Sequence, residues 1–84
     1  MIDTPVLRQL ARLGSLDNVV ARQVPGGFVV VVRHGLEEEA LRAQRGGPRT
    51  FRRLDTLCSF LADVGVLRFT VEATNSSSQR ELRL

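Results

Sequence analysis

The strongest pattern of apolar and polar positions runs from Leu54 to Val64. Leu54, Leu57, Cys58, Leu61 and Val64 recur at steps of three and four and form one apolar stripe, widened by Phe60, while Asp55, Thr56, Ser59 and Asp63 point elsewhere. The spacing predicts a helix. Asp55 near its start suits the helix dipole, and Gly65 supplies the stop. On such a stripe the Cys58 thiol is expected to behave as a small buried hydrophobe. The period then changes. Leu67, Phe69, Val71 and Ala73 alternate with Arg68, Thr70 and Glu72, which predicts a strand over Val66 to Ala73 with one buried face.

Upstream, Thr4 and Pro5 form a helix start, threonine as a cap and proline at the first helical position. Val6, Leu7, Leu10, Ala11 and Leu13 follow at helical spacing, and Gly14 ends the segment. The apolar face of this helix docks either on the domain's own sheet or on a second subunit. Two β-branched, apolar runs, Asn18 to Val24 and Phe28 to Arg33, flank Pro25-Gly26-Gly27 and predict a β-hairpin. Four consecutive valines in the second run lack polar alternation, so that strand is expected to be central and covered on both sides.

The stretch LEEEALRAQR, residues 36–45, is open between helix and strand. Nearly all its residues are good helix formers, yet Leu41 and Ala43 alternate with Arg42 and Gln44. The Gly46-Gly47-Pro48 break and the strand-like Arg49-Thr50-Phe51 favour a second hairpin with arms at about Ala40 to Arg45 and Arg49 to Arg52. Together these elements give an α+β fold in the order αββββαβ: an N-terminal helix, a mainly antiparallel sheet of two hairpins, a second helix packed on the sheet and a final strand. Residues 1–74 form the single domain. Residues 75–84 are polar, serine-rich and aperiodic, and read as a flexible tail.

Charge sharpens this picture. Twelve basic and nine acidic residues leave a formal net charge of +3 over 84 residues, and every basic residue is arginine. Arginine presents a planar fork of donors suited to phosphates, carboxylates and aromatic faces. An arginine-rich, lysine-free composition is equally what a GC-rich genome produces. Arg42 to Arg53 alone carries +5 and no acid, in Arg42, Arg45, Arg49, Arg52 and Arg53, so the other residues sum to −2. In a hairpin, Arg49, Phe51 and Arg53 share a face opposite Thr50 and Arg52. Phe51 reads as a core residue rather than a stacking platform. A two-stranded ribbon fits the DNA major groove, and five arginines would support phosphate contacts that weaken with salt. The same five side chains would serve contact with an acidic protein partner, or form a solvated face paired with Glu37, Glu38, Glu39, Asp55 or Asp63. The Glu37-Glu38-Glu39 run is expected to be a solvated loop.

The residues RGGPRTFRRLDTLCSFLADVGVLRFTVEAT, Arg45 to Thr74, resemble the ParC family of partition-associated small proteins of plasmids and integrative elements. The resemblance is carried by Arg45-Gly46, Arg49, Phe51, Leu54-Asp55 and the Leu61, Gly65, Phe69 series leading into the last strand. It implies a mobile-element setting and a role beside DNA segregation or maintenance, with the shared arginines as candidates for contact.

Conventional catalytic equipment is not evident. His34 has no complementary group near it in sequence, Asp55 and Asp63 read as surface acids, and RGGP lacks the lysine and spacing of a phosphate loop. One cysteine and one histidine make neither a disulfide nor a zinc site, so no cofactor and no metal are expected. The longest apolar run, Phe28 to Val32, is too short to cross a bilayer, and the expectation is a cytoplasmic protein without membrane contact. Its core is thin for its length, a deficit that a homodimer would relieve. The reading is a non-enzymatic DNA-associated accessory protein, with an adaptor or inhibitor for an acidic protein partner as the alternative.

Overall fold

A computed structural model describes residues 1–73, so the expected tail at 75–84 lies outside the described residues. The elements are α1 (Thr4–Leu13), β1 (Asn18–Val24), β2 (Gly27–His34), β3 (Glu37–Ala40), β4 (Thr50–Phe51), α2 (Leu54–Val64) and β5 (Thr70–Glu72). The order is αββββαβ, as the hydrophobic pattern predicts. The sheet is mixed: β1 and β2 pair antiparallel through the Pro25-Gly26 turn, β3 adds antiparallel to β2, and β5 returns parallel to β1. The residues of 36–45 that continue into regular structure are strand, because β2 offers β3 a ladder that outweighs the helical propensity of three glutamates.

Both helices pack on one face of the sheet. Val19 and Ala21 of β1 and Val30 and Val32 of β2 meet Leu7 of α1 and Leu57, Leu61 and Val64 of α2, with Leu41 and Phe51 closing the same cluster. The alternative for the first helix is thereby resolved in favour of its own domain: Leu7 is fully buried and Leu10 and Ala11 are packed against the core, whereas Val6 and Leu13 stay exposed. Helix α1 begins at Thr4 itself. Asp3 takes the cap position in extended geometry, its carbonyl accepting from the Leu7 N–H at 2.9 Å, and no side chain caps the helix.

Four further expectations are corrected. Strand β2 is central, but no helix covers its second face among the described residues. Val31 is nonetheless buried there, because the register places Arg22 and Glu38 on opposite diagonals of it and their ion pair, at 3.4 Å, runs across it. Glu72 on β5 and Arg33 on β2 extend this network, so Glu38 and Glu39 sit on a strand and not in a solvated loop. The final strand shrinks to three residues, and its expected buried face does not form. Val66 is buried and Phe69 packs on the core, but Leu67 and Val71 are exposed, since β5 lies at the sheet's edge beyond the helices. Cys58 is exposed as well. At 100° per residue it lies that far round the helix from Leu57, off the narrow stripe of Leu57, Leu61 and Val64 that the sheet covers.

The second hairpin is present only at its tip. Leu41 donates its N–H to the Val30 carbonyl at 2.9 Å, and Thr50 and Phe51 then pair with Val29 and Phe28, so both arms lie in turn along the same edge of β2. The arms meet each other only where Arg42 bridges Pro48, Ala43 N–H reaches the Gly47 carbonyl at 3.0 Å and Arg49 N–H reaches the Leu41 carbonyl at 2.9 Å. The chain start fills the outer side of Leu41: Ile2 N–H bonds the Ala40 carbonyl and Arg42 N–H the Ile2 carbonyl, at 3.0 and 2.8 Å.

Gly27 permits β4 to lie this close. A Cβ there would stand 2.8 Å from the Phe51 carbonyl carbon and 3.0 Å from the Arg52 Cα, both backbone atoms. Gly27→Ala is expected to cost about 2–3 kcal/mol by forcing β4 off β2, read as a melting temperature lowered by roughly 10 °C or more in circular dichroism. Unchanged melting would contradict the close approach.

The open-face network sets a pH response. Hydrogen bonds from Arg33 and then Arg22 hold the Glu38 carboxyl below its ordinary range, and bonds to Glu72 and then Glu38 raise the Arg22 guanidinium. A depressed carboxyl contributes stability that is fully present above its unfolded pKa and is lost as pH falls through the folded one. Melting temperature is expected to hold from neutral pH to about pH 5 and to decline below about pH 4, with a shallower decline in Glu38→Gln. An equal decline in that variant would remove Glu38 from the explanation.

Candidate functional site

The basic segment Arg42 to Arg53 is the excursion the chain makes between Leu41 and Thr50 on one edge of β2, together with the short strand and the turn into α2. Its two outermost arginines are tied down. Arg42 Nε lies 3.4 Å from Asp3 Oδ1, just before α1, and Arg53 donates from Nε and Nη2 to both carboxylate oxygens of Asp55, each at 3.1 Å, in the first turn of α2. The Arg53 bonds hold the Asp55 carboxyl below its ordinary range, and Asp55 in turn accepts from the Thr56 N–H at 2.9 Å. Each border of the segment is thus pinned to the start of one helix. Exposed pairs of this kind contribute little to stability and serve here to place the chain.

The three inner arginines differ. Arg45, Arg49 and Arg52 have no acidic partner among the described residues, and all three are exposed. Arg49 is nevertheless held: its Cζ stands 4.5 Å from the centre of the Phe51 ring and 4.8 Å from that of Phe60, the two rings themselves being 5.3 Å apart and tilted by 46°. Phe51 is a core residue, as its apolar character predicts, and it carries Arg49 on the same face of β4. The Arg49–Phe60 contact joins positions eleven apart in sequence; aromatic spacing alone did not reveal it, although a phenylalanine at the border of a helix stripe was the available signal.

The acids of the expected solvated-face alternative are mostly engaged elsewhere. Glu38 bonds Arg22 and Arg33, Glu39 lies 3.3 Å from the chain's amino group and 3.2 Å from His34 Nε2, and Asp63 faces Arg8. Asp55 alone of those acids pairs with the basic segment. His34 therefore does have a complementary group, five residues on, brought diagonally across the β2–β3 ladder by the turn into β3. First the amino group and then His34 hold the Glu39 carboxyl low, an arrangement that fastens the chain start to the sheet.

A concavity of about 730 Å3 lies at the other end of the helices, between the α1–β1 loop and the segment from α2 to β5. Asp17 and Arg68 are its charged lining residues, and Asp17 accepts from the Gly35 N–H at 2.7 Å. No group of three or more metal-ligating side chains occurs among the described residues, and none of their helices is long and apolar enough to cross a membrane.

The family model described as ParC-like matches residues 2–78, which adds the N-terminal half to the stretch that carries the resemblance in sequence. No curated protein and no solved structure matches the chain.

Exposure of Cys58 is directly measurable. A chromogenic disulfide reagent is expected to titrate one thiol in the folded protein within minutes and without denaturant. Reaction only after unfolding would return Cys58 to the core.

Proposed function

The chain belongs to the ParC-like family, and on that premise we propose that it is a small, non-enzymatic, DNA-associated accessory protein acting in plasmid partition or mobile-element maintenance. Duplex DNA meets the basic segment, with Arg45, Arg49 and Arg52 as the contacts and Arg42 and Arg53 as its anchored borders. The observation that carries this reading is the division of labour among the five: the outer two are neutralised by Asp3 and Asp55, and the inner three have no acid opposite them among the described residues. The starts of α1 and α2 flank the same segment, and the positive ends of their dipoles add to its potential. With the segment at +5 and the rest at −2, the molecule is polarised enough to orient on a polyanion.

A second reading has its own support. Strand β5 ends the sheet order β3-β2-β1-β5, its outer edge unpaired among the described residues, with Leu67 and Val71 exposed beside it. A protein partner could add a strand there, which would make the chain an adaptor.

Fluorescence anisotropy with a labelled duplex tests the first reading. Three phosphate contacts give a log–log salt slope of about −2.7, so affinity is expected to fall by roughly fortyfold between about 50 and 200 mM salt. Reversing the charge of Arg45 and Arg52 together should abolish binding. No binding at low salt, or binding indifferent to the reversal, would sink the DNA reading, and partners retained in a pull-down after nuclease treatment would favour the adaptor.

A further inference from the structure

Three exposed arginines of equal charge need not do equal work. Arg49 is fixed at both ends: its backbone N–H bonds the Leu41 carbonyl at 2.9 Å, and its guanidinium rests over Phe51 and Phe60, at 4.5 and 4.8 Å from their centres. Phe51 is itself held in the core, buried under α2 with its backbone paired to Phe28. Contact with a ring face consumes none of the guanidinium's hydrogen-bond donors. No carboxylate or carbonyl among the described residues receives a bond from them. The side chain is therefore ordered without being satisfied, which is unusual for a surface arginine, whose order normally comes from an acid. Arg45 and Arg52 have neither a ring nor an acid among the described residues.

We propose that Arg49 is the pre-positioned fork of the surface, taking a ligand that offers two adjacent acceptor atoms, and that Arg45 and Arg52 act beside it as diffuse charges. This rests on the DNA reading, and on a duplex the two acceptors are either the free oxygens of one phosphate or O6 and N7 of a guanine. The rings remove the search for a binding geometry before the ligand arrives, so the contribution lies in the fork and not in the charge. Phe60 is then a positioning residue: it holds Arg49 and does not touch the ligand.

The test separates fork from charge. Arg49→Lys keeps the charge and is expected to weaken duplex binding roughly tenfold with the salt slope unchanged. Arg49→Ala should weaken it further and make the slope shallower by about 0.9. Arg12→Lys, in the last turn of α1 away from the segment, should bind as the unaltered protein does, and circular dichroism melting verifies that each variant folds. Equal losses for Arg49→Lys on alternating dA-dT and dG-dC duplexes would identify the phosphate, and a loss on dG-dC alone the guanine edge. Binding by Arg49→Lys within twofold of the unaltered protein on both duplexes would overturn the fork while leaving the DNA reading intact. If the unaltered protein binds no duplex, that reading falls, and inorganic phosphate becomes the probe. Selective movement of the Arg49 Nε–H resonance in the nuclear magnetic resonance spectrum would sustain the fork, and a resonance that stays in place would overturn it.

Discussion

One edge of β2 is shared by two strands, and most of the molecule is arranged by that constraint. Glu37–Ala40 and Leu41 occupy its upper part and Thr50–Phe51 its lower part, where Gly27 leaves room for the Phe51 backbone. A ladder position can hold only one strand, so the residues between Leu41 and Thr50 must leave the sheet and return. They are the residues that carry Arg42, Arg45 and Arg49. The basic segment is thus displayed because β2 has no place for it, and its exposure is a product of strand pairing rather than of polarity alone.

The two faces of the sheet solve burial differently. On one, two helices supply leucine and valine to an apolar cluster of ordinary kind. On the other, a chain of alternating charges from Glu72 through Arg22 and Glu38 to Arg33 runs across Val31. For a domain too small to afford a third layer, long ionic side chains act as the roof. The arginines of this network differ from Arg45, Arg49 and Arg52 in that strand register sets an acid beside each.

Charge placement, more than charge number, separates scaffold from candidate site. Arg22 and Arg33 are bound to glutamates across strands, and Arg42 and Arg53 to aspartates at the starts of helices. Arg49 is held by aromatic rings and keeps its donors. Five arginines that look interchangeable along the chain fall into anchors, free charges and one ordered fork once the helices are in place.

The order and kind of the elements were legible in the sequence, down to the ends of α2 at Leu54 and Val64, because helical and strand periods and glycine stops are properties of neighbours along the chain. The candidate site was legible as five arginines within twelve residues, of which the fold sets Arg49 against Phe51. What tertiary structure decided was every relation between residues far apart in sequence: that the arms of the second hairpin pair with β2 before they pair with each other, that Cys58 falls outside the covered stripe, that Leu67 and Val71 lie beyond the helices, and that Phe60 reaches Arg49. Local pattern specifies which face of an element is apolar. It does not specify how wide a neighbour covers that face or which acid stands opposite a given arginine, since both depend on register and packing between elements that the chain brings together only when folded.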